Sequence, residues 1–121
     1  MGDNWYSRPI LYAANLKRTL DFYIGQLGFD ESWRYDEGGA TQIVQVERLG
    51  CELIFSCQDR MKAGAGRIFI SLDLDVLEAT RRDYEAKGIA IRDGYWGYKT
   101  MIIADPDGNE LFFPYPADHE G

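Results

Sequence analysis

The stretch Ala104-Asp105-Pro106-Asp107-Gly108-Asn109-Glu110-Leu111-Phe112-Phe113 constrains the fold more than any other. Proline presets φ for one turn position, glycine supplies positive φ, and Asp and Asn side chains bond their own backbone. Apolar runs flank it, Met101-Ile102-Ile103 before and Leu111-Phe112-Phe113 after, so the segment reads as a β-hairpin. An earlier segment, Leu49-Gly50-Cys51-Glu52-Leu53-Ile54-Phe55, lines up with Asp107-Gly108-Asn109-Glu110-Leu111-Phe112-Phe113. The offset is 58 residues, from Gly50 to Gly108. The chain is one unit written twice.

In the first unit, residues 8–13 form a short apolar strand, with Pro9 confining it to a strand start or an edge. Asn15 is placed to cap a helix over 16–27, in which Leu16, Leu20, Tyr23, Ile24 and Leu27 make one stripe. Gly28 stops that helix. Strands over 29–35, 41–47 and 51–57 follow, separated by Asp36-Glu37-Gly38-Gly39 and by Gly50. Residues 58–66 hold Gly64-Ala65-Gly66 without the Lys and Ser/Thr of a phosphate loop, and read as a flexible connection. The second unit repeats the order: a strand over 67–72, Asp73 or Asp75 as cap, a helix over 76–87, and Gly88 as its stop. A strand begins at 89–91, an aromatic loop spans 94–98, and strands over 99–104 and 110–115 make the last hairpin. The expected architecture is α+β: two βαβββ units, about 7–57 and 67–115, within a single domain of residues 1–121.

Acidic residues outnumber basic ones 20 to 13, a net charge of −7. Phosphate backbones and anionic lipid need clustered Lys and Arg, so neither nucleic acid nor membrane is the expected partner. The acidity suits a cationic ligand, and equally a merely soluble surface. No apolar run reaches membrane-spanning length, and Met1-Gly2-Asp3-Asn4-Trp5 lacks the regions of a signal peptide. Cys51 and Cys57, six apart in a strand-like run, indicate neither a disulfide framework nor a zinc knuckle. A reduced, cytoplasmic protein is expected. His119 is the single histidine and stands in a tail expected to fray, so neither a Ser-His-Asp triad nor a histidine metal site is legible.

The doubled βαβββ order, the run from Asn15 to Tyr23 leading into Leu27-Gly28-Phe29, and the Asp105–Asn109 hairpin together resemble the vicinal oxygen chelate superfamily. That group includes glyoxalase I, extradiol dioxygenases, fosfomycin-resistance enzymes and bleomycin-resistance proteins. The resemblance spans nearly the whole chain and implies two sheets curled around cavities, helices outside, and often a dimer. It also implies four metal-ligand positions, which fall here on Arg8, Ile54, Arg67 and Phe112. Guanidinium has no acceptor and keeps its charge, and Ile and Phe have no lone pair. No metal and no cofactor is therefore expected. A two-residue slip would bring Glu52 and Glu110 into place, which keeps a second reading: a lyase, isomerase or dioxygenase using either Glu with a metal or as a base.

If Arg8, Ile54, Arg67 and Phe112 face the cavity, as the resemblance implies, period-two alternation also sends Ile10, Tyr12, Glu52, Ser56, Phe69, Ser71 and Glu110 to that side. Leu11, Leu53, Phe55, Ile68, Ile70, Leu72, Leu111 and Phe113 fall on the helix side. Trp33, Tyr35, Trp96 and Tyr98 come from the intervening strands and loop, and Trp5 reads as a terminal anchor or dimer contact. A metal-free, acidic chain with Trp96-Gly97 ahead of the last hairpin most resembles bleomycin-resistance-type proteins, which sequester antibiotics without chemistry. The expectation is a homodimeric binding protein for a small aromatic ligand, in which a cation would suit the rings and a carboxylate or phosphate would suit Arg8 and Arg67.

Overall fold

The computed structural model describes residues 5–95 and 97–116. Turn and cap chemistry sets the frame of the first unit. Strand β1 (Ile10–Tyr12) leads into Asn15, whose extended backbone and side chain, accepting from the Arg18 N–H, start helix α1 (Leu16–Leu20). The helix then widens into a π-helical turn, Asp21–Gln26, closed by the Leu27 N–H on the Phe22 carbonyl at 2.9 Å. The widening moves the buried stripe to Leu16, Thr19, Tyr23 and Leu27, leaving Leu20 and Ile24 half-buried. Strands β2 (Asp30–Glu37), β3 (Ala40–Arg48) and β4 (Cys51–Ser56) complete the unit. Leu49 and Gly50, with φ of 50° and 88°, make the tight turn between β3 and β4.

The second unit holds β5 (Arg67–Phe69), α2 (Leu74–Ala86), β6 (Arg92–Tyr95), β7 (Lys99–Ala104) and β8 (Glu110–Pro114). Each unit makes its own four-stranded sheet, in the orders β1-β4-β3-β2 and β5-β8-β7-β6. The β1–β4 and β5–β8 pairs are parallel and the others antiparallel; neither sheet closes on itself. Two expectations shift. The strand expected from 89–91 begins at Arg92, because the Ile89 N–H returns to the Tyr84 carbonyl as the end of α2 and its side chain enters the core. Gly94 and Tyr95, expected in a loop, are the end of β6. Trp96 and residues 117–121, including His119, lie outside the described residues.

One core serves both units. Leu11, Tyr23, Leu27, Leu53 and Phe55 from the first join Leu77, Tyr84, Met101, Ile103, Leu111 and Phe113 from the second. Each helix also bonds to the other unit. Tyr84 of α2 donates to the Leu27 carbonyl at 2.7 Å, and Lys87 to the Gln26 carbonyl at 3.0 Å. From α1 the Arg18 guanidinium meets Asp107 at 2.9 Å, and from the π-helical turn the Tyr23 hydroxyl donates to buried Asp105 at 3.0 Å. The connection over 58–66 is pinned rather than flexible. It carries a 3-10 turn, Arg60–Lys62, and a Cβ on Gly64 would stand 2.3 Å from the Asp107 carbonyl oxygen. The Gly66 N–H donates to Asn109 at 2.8 Å, and its carbonyl accepts from the Glu110 N–H at 2.9 Å.

Burial first, and then the Asp105 carboxylate, hold the Tyr23 phenol well above the usual tyrosine range. A group raised in the folded state contributes stability that is complete below its unfolded value, about 10, and is lost as pH climbs beyond it. Tyr23→Phe is expected to cost about 1–3 kcal/mol at neutral pH, by urea denaturation, since Asp105 loses one of its donors. It is also expected to flatten the fall in stability above about pH 10. An unchanged urea midpoint would show that the bond contributes nothing.

Candidate functional site

Because directly opposed residues in a ladder share a face, the register fixes what the open face of each sheet presents. On the first sheet one row runs Ile10, Ile54, Gln45, Trp33, and the next runs Tyr12, Ser56, Ile43, Tyr35. A bulge between Glu31 and Trp33 inserts one residue into β2, keeping Trp33 on the open face while Glu31 turns to the helix side and pairs with Arg34 at 2.6 Å. Gln45 is buried, and its Oε1 accepts from Arg8 Nη1 at 2.8 Å and from the Trp33 indole N–H at 2.9 Å. One amide thus fixes both a cation and a ring. Glu52 shares the face and stands opposite Glu47, which accepts from the Gly50 N–H. Arg8 bonds to Gln45 rather than to Glu52. The Lys62 ammonium sits 5.3 Å from the Tyr12 ring centroid.

On the second sheet one row runs Phe69, Phe112, Ile102, Arg92, and beside it lie Arg67, Glu110 and Ala104. Phe69 and Phe112 meet edge to face, centroids 5.6 Å apart. Arg67, Ile68, Phe69 and Phe112 line a cavity of about 180 Å³. Glu110 is shared: its Oε1 lies 3.4 Å from Arg67 Nε and its Oε2 lies 3.1 Å from Arg92 Nη2. Ile10 is 57% and Phe69 43% exposed, and Trp33, Tyr35 and Tyr98 are exposed as well. Trp5 is almost wholly exposed, so among the described residues it packs against no core element.

The expected site residues therefore divide by sheet. Arg8, Tyr12, Trp33, Tyr35, Glu52 and Ile54 share the first open face; Arg67, Phe69, Glu110 and Phe112 share the second. Tyr98 stands in the connection before β7, and Trp96 lies outside the described residues. Gln45 and Arg92 escaped the sequence reading. Alternation along β3 from Ile43 reaches Gln45, but its double bond depends on a register that local pattern does not carry.

The donor set does not fit the metal that the resemblance implies. Of its four positions, Arg8 is bound to Gln45 and Arg67 to Glu110, while Ile54 and Phe112 offer no lone pair. Among the described residues no three His, Cys, Asp or Glu side chains are grouped to hold an ion. Glu110 has both oxygens engaged by guanidiniums, an arrangement that positions cations. Cys51 is no better as a nucleophile: burial, then the Glu52 charge, push its thiol up. Tag-free protein dialysed without chelator is expected to carry well under one equivalent of divalent transition metal by elemental analysis. Stoichiometric zinc, nickel, iron or manganese would return Glu52 or Glu110 to a ligand role.

Among the described residues no helix is long and apolar enough to cross a membrane. No curated protein matches the chain. Solved structures do. TnmS3, an antibiotic binding protein from Streptomyces sp. CB03234, superposes with a TM-score of 0.75 at 18% identity, over 96% of this chain and 99% of that one. The bleomycin-binding protein of bleomycin-producing Streptomyces verticillus, solved with copper(II)-bleomycin, gives 0.74 at 20% identity, over 96% and 99%. Virulence protein STM3117 from Salmonella typhimurium gives 0.66 at 16%, over 93% and 97%. The family model that matches covers residues 5–113, nearly the span of the two units. The chain belongs to the Glyoxalase/Bleomycin resistance protein/Dioxygenase superfamily.

Proposed function

We propose that this protein sequesters a small, ring-bearing molecule on the open faces of its two sheets, as a cytoplasmic, metal-free homodimer without catalytic chemistry. The observation that carries the reading is the exposure of Trp33, Tyr35, Phe69 and Ile10 on faces that also carry fixed polar groups. Rings exposed together beside a few oriented donors are what a ligand surface requires. Similarity in fold to proteins described as antibiotic binding and bleomycin-binding supports the same reading.

The dimer rests on exposure. Pairing the open faces of two copies would cover Ile10, Trp33, Tyr35 and Phe69 and complete a cavity between them. The enzyme reading is the weaker one, since Glu110 already serves two guanidiniums.

Light scattering at micromolar concentration is expected to give about twice the chain mass of 13.8 kDa. A monomer mass would remove the paired cavity. For the pocket, planar aromatic compounds screened by tryptophan-fluorescence quenching should yield a ligand that Phe69→Ala and Trp33→Ala each weaken by about 1–3 kcal/mol. A ligand indifferent to both substitutions would put the pocket elsewhere, and turnover of the ligand would favour the enzyme.

A further inference from the structure

We propose that the Arg67–Glu110–Arg92 cluster is an anion-receiving subsite, so that the ligand carries a carboxylate on its ring. The inference rests on the binding reading above and assigns the ligand its charge. Two guanidiniums share one carboxylate, which leaves the cluster one positive charge in excess. Each guanidinium has five N–H donors; Glu110 accepts one from Arg92 at 3.1 Å and pairs with Arg67 by charge at 3.4 Å. Among the described residues neither arginine has another charged partner. The arginine side chains are 70% and 60% exposed and the Glu110 side chain only 20%, so the cations lie outermost with the carboxylate beneath.

This local excess runs against a chain whose net charge is −7, so composition does not explain it. Arginine's planar fork takes a carboxylate through two parallel N–H···O bonds, and two forks beside one anion leave room for a second. The apolar cavity adjoins the cluster at Arg67, which lines it two residues from Phe69 along β5, while Arg92 stands at the far end of the row Phe69, Phe112, Ile102 and reaches the cluster through Glu110. A volume of about 180 Å³ is on the scale of an apolar cavity that accepts an aromatic ring. A ring on the phenylalanines would thus set its acid group against the guanidiniums. The first sheet offers no such site, because Arg8 is held by neutral Gln45 and shares its face with Glu47 and Glu52.

Isothermal titration of the full chain at low salt compares three probes of one ring: 2-naphthoate, 2-naphthamide and 2-naphthylmethylammonium. Naphthoate is expected to bind about tenfold tighter than the amide, with the ammonium weakest, and its advantage should shrink as salt rises. Arg92→Gln should erase the advantage while leaving the amide within about twofold. Glu110→Gln, which removes the competing carboxylate, should raise naphthoate affinity, and this opposite sign decides the matter even if Arg92→Gln fails to fold. Equal affinity for naphthoate and naphthamide, or weaker naphthoate binding in Glu110→Gln, would overturn the subsite and leave the binding reading intact. Conversion of the dimer to monomer by Arg92→Gln would overturn it too, assigning the arginines to a partner copy. Failure of all three probes at millimolar concentration would overturn both.

Discussion

A buried carboxylate, Asp105, sits where the two units meet and accepts four hydrogen bonds from neutral donors. They come from the Tyr23 hydroxyl at 3.0 Å, Asn109 Nδ2 at 3.0 Å, and the N–H groups of Asp107 and Asn109 at 2.9 Å each. Burying a carboxylate costs several kcal/mol unless donors replace its water. Three of these donors belong to the hairpin itself, and the fourth, Tyr23, reaches in from the π-helical turn of the other unit. Asn109 extends the link, accepting from the Gly66 N–H and donating to the Tyr12 carbonyl at 3.4 Å. The last hairpin is therefore fully satisfied only when both units are in place, which makes them one cooperative fold. The same logic explains why the 58–66 connection is held tightly: its backbone is part of the hairpin's hydrogen bonding.

This junction draws the helix sides of both sheets into a common core and spends their apolar surface there. The opposite faces are left open. Their rings cannot be satisfied by the core, because alternation along each strand points them away from it. Gln45 shows how such a face is kept ordered while it stays open. Its buried oxygen holds Arg8 and the Trp33 indole at once, so both side chains keep a fixed orientation on the open face.

Turn chemistry and period-two alternation are local, and whatever depended on them was legible in the sequence. The Asn15 cap, the Gly28 stop, the doubled order and the helix-side set Leu11, Leu53, Phe55, Leu111 and Phe113 all follow from residue type and spacing, and the structure contains them. The β2 bulge, the π-helical turn after α1 and the start of β6 at Arg92 were not legible. Each is decided by a long-range fit: Trp33 to Gln45, Tyr23 to Asp105, Ile89 to the core. The site divides in the same way. Which face Arg67 and Glu110 share could be read from alternation, whereas the third member, Arg92, comes from the far edge of the sheet, and only the register brings it there.

The duplicated unit explains how one scaffold yields two unlike faces. Arg8 and Glu52 in the first unit correspond to Arg67 and Glu110 in the second: Arg8 stands just before β1, Arg67 opens β5, and each glutamate lies on the last strand of its unit. In the second unit the pair closes and Arg92 joins it, so an arginine is left in excess. In the first unit a neutral amide on β3 captures the arginine, and the carboxylate stays opposite Glu47. The backbone repeat therefore sets where charge can stand, while one residue on a neighbouring strand sets its sign. Such a division lets an open face change its charge through positions outside the core, at little cost to the Asp105 junction that holds the fold together.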